Sequence, residues 1–355
     1  MTSSAKSLVS ACLVWLVAAG VPLEPARAGP VILVEAGSGR ILYAEEQDHQ
    51  WYPASLTKVM TAYLAFEAIR SGRLKLTDTV VVSEKALEQA PSKLGLPIGT
   101  EIGVDVAIRA LVVKSANDVA IMLAEKIGGS EEGFVQLMND TAKRLGMSRT
   151  QFVNPHGLPV PGQISTARDL ARLARAALQD FPEHGAVWGL SEMQLGEQRL
   201  RSHNGLLRSF EGADGIKTGF ICDSGFNVAA SATRDGKRLI AVVLGEPSGD
   251  DRNLRAASLL NHGFETAAWK VRFGVPTIET MPIDPVAEGV RSVRMSVASW
   301  NCNGRKPARQ VAKRKPRGPK AKTAPQTRAA GAGQQPKGAA KAATSAAKAP
   351  ATAKQ

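Results

Sequence analysis

Residues 53–66 read PASLTKVMTAYLAF: a proline, then a serine and a lysine three positions apart, then a run dominated by apolar residues. No glycine or proline interrupts the run, so the stretch predicts a helix, and Ser55 and Lys58 fall on one face of it. Two readings compete. In the ordinary one Ser55 is an N-cap and Lys58 a solvated surface charge. In the other Lys58 is a base that takes the proton of the Ser55 hydroxyl, which is otherwise a poor nucleophile. Spacing alone does not decide. About one or two Ser-x-x-Lys matches are expected by chance at this length, and the chain also has Ser3 with Lys6 and Ser345 with Lys348.

Both of those other matches fall in segments that read as lying outside a folded domain. Residues 1–28 read as a secretory leader: Lys6 ahead of the apolar run LVSACLVWLVAAGV, then Ala26-Arg27-Ala28 as a small-x-small cleavage site. From Asn303 to Gln355 there are 14 Lys and Arg and no acidic residue, with almost no large apolar side chain, so 304–355 is expected to be a disordered basic tail. That tail carries the chain's entire formal charge of +13, because the other 31 basic and 32 acidic residues nearly cancel. Export and the absence of tail aromatics argue against a nucleic-acid partner and leave an anionic envelope surface as the tail's candidate partner. The expected localisation is therefore periplasmic or otherwise outside the cytoplasmic membrane. Cys222 and Cys302 remain after cleavage, and a bridge between them is left open.

Hydrophobic content of 44% over 355 residues is enough for a sizeable core. VILVEAGSGRILY at 31–43 and FNVAASATRDGKRLIAVVLG at 226–245 each read as a β-hairpin, the second around Asp235-Gly236. Between them the chain is mostly helical: the run after Ser55, VDVAIRALVVKSANDVAIMLAEKIGG, EEGFVQLMNDTAKRLG, and STARDLARLARAAL opening on a Ser/Thr cap. The fold class expected is α+β: an antiparallel sheet built from both ends of the chain and covered by helices, an inserted mostly helical lobe, and a cleft between them. Boundaries are 1–28 for the leader, 29–275 for the domain, 276–303 for a short extension with room for a few short strands, and 304–355 for the tail.

Two further elements join Ser55 and Lys58: Ser115-Ala116-Asn117 within the insert, and Lys217-Thr218-Gly219 leading into the second hairpin. Ser-x-Asn is weak alone, since Ser202 to Asn204 and Ser299 to Asn301 match it too. Lys-Thr-Gly occurs once, against less than about one chance occurrence in ten such chains. In this order the three form the set described for penicillin-binding proteins and class A β-lactamases. The sequence resembles the serine D-alanyl-D-alanine carboxypeptidases, the low-molecular-mass penicillin-binding proteins, from about Val31 to Phe264. YPASLTKVMTAYLAF, LPIGTEIGVDVAIRALVVKSANDVAIMLAE, FVNPHGLP, ISTARDLARLARA and EGADGIKTGFICDSGFNVAASA carry the likeness.

The resemblance implies a β-lactamase/transpeptidase-like fold, a peptidoglycan stem pentapeptide as substrate, β-lactam antibiotics as covalent inhibitors, and no cofactor. It also implies roles: Ser55 nucleophile, Lys58 base, Ser115 bridging Lys58 and Lys217 in proton transfer, Asn117 on the substrate's backbone amide, and Thr218 on its terminal carboxylate. Gly219 would leave room for the peptide along the strand edge, and the backbone N–H groups of Ser55 and Phe220 would hold the oxyanion. For Lys58 to work as a base its pKa must fall, through burial and the neighbouring Lys217. The histidines at 49, 156, 184, 203 and 262 have no metal-ligand spacing, and His156 in NPHGL reads as a structural loop residue.

Rival activities are a D,D-endopeptidase or a β-lactamase on the same fold, or a non-catalytic envelope-binding protein acting through the tail. A β-lactamase needs a carboxylate after the helical lobe to activate water. Residues 151–180 offer only Asp169 and Asp180, and Asp169 reads as a surface or helix-start charge. Many relatives continue into a second, β-rich domain ending in an amphipathic membrane helix, for which little room follows Phe273.

Overall fold

The computed structural model describes residues 29–270, 274–285, 289–297 and 302; the leader assigned to 1–28 and the tail assigned to 304–355 lie outside them. The first hairpin is β1 (Val31–Glu35) and β2 (Ile41–Glu45). After a 3-10 turn at Ala54–Thr57 comes α1 (Lys58–Arg70), then β3 (Thr79–Val81), α2 (Glu84–Glu88), β4 (Glu101–Gly103), α3 (Val104–Val113), α4 (Asn117–Gly128) and α5 (Glu131–Arg144). The chain returns through α6 (Ala167–Gln179), the small hairpin β5 (Glu192–Leu195) and β6 (Gln198–Arg201), and α7 (Leu206–Ser209). It ends in β7 (Ala213–Ile221), β8 (Gly225–Arg234), β9 (Lys237–Glu246) and α8 (Gly249–Lys270).

The main sheet has the order β2-β1-β9-β8-β7, with every pairing antiparallel. The first hairpin and the last strand therefore meet at its centre, where β1 lies against β9 with Val31 opposite Val243. The β8–β9 turn is made by Asp235 (φ +48°) and Gly236 (φ +72°), and two consecutive positive φ angles match the twist of the flanking strands. Strand alternation sends Ile32, Val34, Ile240 and Val242 to one face, and Val31, Leu33, Leu239, Ala241 and Val243 to the other. The first set joins the core shared with α1, α3, α4 and α6; the second packs on Ala256, Leu259 and Leu260 of α8. Both faces are covered, which is why these strands read as continuous apolar runs.

Three features differ from the sequence-based expectation. The long run at 104–129 is two helices, broken at Ser115, whose φ of +59° no α-helix tolerates. Two small sheets, β3–β4 and β5–β6, arise in the region expected to be mostly helical. The described residues after 273 form no strand; they wrap the domain in turns, with one bridge from Thr277 to Arg40.

The wrap is fastened by a buried ion pair. Arg168 in the first turn of α6 and Asp48 are 1% and 2% exposed, with Nη2 donating to Oδ2 at 2.8 Å, while the same guanidinium donates to the carbonyls of Met281 and Pro282. Removing one member of such a pair strands the other charge. Asp48→Ala should therefore lose about 3–5 kcal/mol of stability, measured by chemical denaturation; a loss under about 1 kcal/mol would mean that Arg168 finds compensation in water.

Candidate active site

α1 is not amphipathic: ten of its residues, from Lys58 to Ala68, are buried. Such a helix sits inside a core rather than on one, so its first residue starts out dry. Lys58 is 1% exposed. Ser55 lies in the 3-10 turn just before it, with Ala54 at φ +48° and no side-chain cap at either the turn or α1. The capping explanation for Ser55 therefore fails, and its hydroxyl oxygen lies 3.0 Å from Lys58 Nζ.

The remaining partners of Lys58 Nζ are Asn117 Oδ1 and the carbonyl oxygen of His156, both at 2.6 Å. As a neutral amine Lys58 has two N–H donors for those two oxygens, and its lone pair is left for the Ser55 hydroxyl. Burial, and after it the charge of Lys217, pushes the Lys58 pKa well below the usual lysine range; Asp118 opposes this. Lys217 itself is lowered to about 7, by burial and then by Arg252. Its Nζ donates to Ser115 Oγ at 2.9 Å. Of the two lysines, Lys217 is the one hydrogen-bonded to Ser115.

Ser55, Ser115, Asn117, Thr218, Gly219 and Phe220 line one cleft of about 680 Å³, with Lys58 and Lys217 buried behind it. All eight residues singled out in the sequence meet there. Asn117 opens α4; its Nδ2 donates to Ala90 O and its backbone N to Ser92 O, pinning the loop that supplies Pro91 and Ser92 to the cleft wall. Packing alone gives position 219 a reason to be glycine. A Cβ there would stand 2.9 Å from Pro53 O and 3.1 Å from Ser55 N, so glycine is needed because β7 runs hard against the turn carrying Ser55.

Two contributors carry no motif. The carbonyl of His156 comes from a loop whose shape is set by Asn154, which accepts from Gly157 N at 2.7 Å, and by Gln163, which accepts from Val153 N and donates to Thr57. The imidazole is held to about pKa 3 by burial and then by Lys58, so it stays neutral and accepts from Leu158 N. That agrees with a structural loop residue. Arg252, in the first turn of α8, is 5% exposed, lines the cleft, and has its pKa lowered to about 10 by burial. Only the return of α8 to the end of β7 brings it there, and no local pattern announces it.

Asp169 is corrected in part. It opens α6 as expected, where Thr166 caps its N–H, but it is buried and not a surface charge. It accepts from Arg149 N and Thr150 Oγ1, and burial raises its pKa. Asp180 accepts from Tyr63 Oη at 2.6 Å. Neither lines the cleft, where Asp250 is the one acidic lining residue among the described residues.

Comparison with known proteins agrees with this geometry. Residues 18–248 match the family described as D-alanyl-D-alanine carboxypeptidase, and the chain belongs to that family. It is 39% identical over 240 residues to the D-alanyl-D-alanine carboxypeptidase DacC of Escherichia coli, covering 66% of this chain and 60% of that protein. It is 36% identical to DacA of Haemophilus influenzae, covering 69% and 64%. Thus the match spans a little under two thirds of those relatives. Among solved structures, penicillin binding protein 5 from Haemophilus influenzae superposes with a TM-score of 0.65 at 36% identity, covering 67% of this chain and 71% of that one. Penicillin-Binding Protein D2 from Listeria monocytogenes in its ampicillin-bound form gives 0.62 at 31%, covering 67% and 97%.

A base works only as its free amine, so acylation should rise with pH through the Lys58 pKa. The positive charge of Lys217 helps to hold that pKa down, and removing it lets the pKa rise. In Lys217→Gln the acid limb of the pH profile for acylation should therefore move to higher pH. Stopped-flow acylation across pH checks this; a limb unmoved or shifted to lower pH would separate the two lysines electrostatically.

Proposed function

We propose that the protein is a serine D-alanyl-D-alanine carboxypeptidase that removes the terminal D-Ala from peptidoglycan stem pentapeptides through an acyl-enzyme on Ser55. The observation that carries this is the buried Lys58 amine facing the Ser55 hydroxyl at 3.0 Å on the wall of an open cleft. Lys58 takes the hydroxyl proton as Ser55 Oγ attacks the carbonyl carbon of the penultimate D-Ala. The backbone N–H groups of Ser55 and Phe220 hold the resulting oxyanion. Ser115, held by Lys217, passes the proton that Lys58 has gained to the leaving amine as the C–N bond breaks, which returns Lys58 to the free amine. Water then attacks the ester carbonyl with Lys58 as base, and Lys58 returns that proton to Ser55 Oγ as the acyl C–O bond breaks. Thr218 and the guanidinium of Arg252 hold the substrate's terminal carboxylate, a role for which a buried cation beside a hydroxyl is suited.

A β-lactam acylates the same serine. With neither carboxylate of 151–180 on the cleft to activate water, the penicilloyl-enzyme persists and the drug inhibits. The Cys222–Cys302 disulfide and the leader at 1–28 support an exported, envelope-side enzyme. The charge of the tail supports contact with anionic lipid or wall polymers, held by screened electrostatics.

Ser55→Ala should abolish both D-Ala release from a D-Ala-D-Ala pentapeptide and covalent labelling by a fluorescent penicillin. Labelling that persists at another serine would overturn the assignment. In the wild type, label should be lost far more slowly than peptide turns over; rapid multiple-turnover hydrolysis of a chromogenic cephalosporin would point to a β-lactamase instead.

A further inference from the structure

The family match ends at residue 248, yet residues beyond it grip the tip of the strand that carries Phe220. β7 is an edge strand, paired only with β8, and its last residues, Phe220 and Ile221, run straight into the turn at 222–224. That turn is held from outside. Arg294 donates from Nη2 and Nε to the two carboxylate oxygens of Asp223, at 2.6 and 3.1 Å. Ser292 Oγ donates to Asp223 Oδ1 at 2.7 Å, Val293 N donates to Asp223 O at 3.0 Å, and Cys302 is bonded to Cys222.

The same segment also holds the other side of the site. Arg291 donates to His49 Nε2 at 3.0 Å, pairs with Glu46, and lies over the Trp51 ring. Trp51 in turn donates from its indole to Ser224 O at 3.0 Å and exchanges backbone hydrogen bonds with Ser165. Three residues after Trp51 comes Ala54, and then Ser55.

We infer that residues 289–297, together with Cys302, act as a strap that keeps the β7–β8 turn, and through it the Phe220 amide, in register with Ser55, with Arg294 a positioning residue acting through Asp223. This rests on the proposed acyl-transfer reaction, in which that amide and the Ser55 amide hold the oxyanion. Oxyanion donors work only within about 2.7–3.1 Å of the oxygen, and a displacement of about 1 Å can cost about 100-fold in rate. An edge strand that frays at its tip loses that register first. The strap touches no lining residue of the cleft among the contacts just described, so it should tune the chemical step more than substrate binding.

The test compares full-length wild type, Arg294→Ala, Arg294→Lys and Cys302→Ser, with Arg199→Ala, which removes an exposed ion pair with Glu192 that the strap does not touch, as control. Measured are kcat and KM for D-Ala release, the rate of penicillin acylation, and hydrogen exchange of the 218–226 amides. We expect Arg294→Ala and Cys302→Ser to lower kcat and acylation by about tenfold, with KM within about twofold and faster exchange at 220–224. Arg294→Lys should recover part of the loss, and the control should match wild type. If both variants keep wild-type kcat and exchange, or lose only KM, the strap does not position the site. A wild type that neither turns over the peptide nor takes penicillin would sink the proposed reaction; exchange at 220–224 would still decide whether the strap holds the turn.

Discussion

The burial of one amine, Lys58, is the constraint on which the rest of the structure depends. A charged ammonium in a dry interior needs a carboxylate partner or must lose its proton. Here its three contacts are a hydroxyl, an amide oxygen and a peptide carbonyl, all neutral. Asp118 is the acid that acts on it, from the next position along α4, and its oxygens accept from the N–H groups of Leu94 and Gly95 instead. Had a carboxylate stood where the His156 carbonyl stands, Lys58 would be held protonated and could not act as a base. The same arrangement explains why α1 is apolar on all sides and why the 154–158 loop is so heavily hydrogen-bonded: both exist to keep water from the amine while leaving Ser55 at the surface of the cleft.

Holding Ser55 there requires backbones to approach more closely than side chains allow. A Cβ on Gly157 would stand 1.9 Å from Ala54 O, and one on Gly219 would meet Pro53 O and Ser55 N. The turn bearing the nucleophile is therefore clasped between two glycines from distant parts of the chain. Of the four non-glycine residues with positive φ among the described residues, Ala54 and Ser115 are both at the site. Such backbone conformations persist only where surrounding contacts over-determine them. Ala54 is fixed by those glycines, and Ser115 by Lys217 and by the switch from α3 to α4.

Much of this was legible in the sequence because it rests on local chemistry. Both hairpins, the glycine stops after α4 and α5, the Thr166 cap of α6 and the three motifs are short-range signals. What was not legible depends on tertiary return. The break at Ser115 looked like continuous helix because no glycine or proline marks it and the apolar residues on either side keep a helical period. Asp169 looked like a surface charge because its partners, Arg149 and Thr150, lie about 20 residues away across a loop. Arg252 and the His156 carbonyl have no sequence signal at all: one is a helix residue among other charged ones, the other a backbone atom. The Cys222–Cys302 bond could be named only as one option, since nothing local shows that residue 302 returns to the β7–β8 turn.

The described residues after 273 give the sheet's two edges opposite treatments. At the β2 edge, Ile41 N donates to Pro276 O and Ile278 N donates to Gly39 O, so the chain covers backbone groups that would otherwise invite pairing with another molecule. At the β7 edge the same segment leaves the strand's backbone free and grips only its turn. In the proposed reaction this edge receives an extended peptide and so cannot be capped by a strand, yet unbraced it would be the least constrained part of the sheet. Bracing the turn resolves the conflict: hydrogen bonds and a covalent bond at residues 222 and 223 restrict the strand's tip while its peptide groups beside Ser55 stay available. This places the stabilising contacts two residues beyond Phe220, close enough to fix its amide and far enough to leave the cleft open.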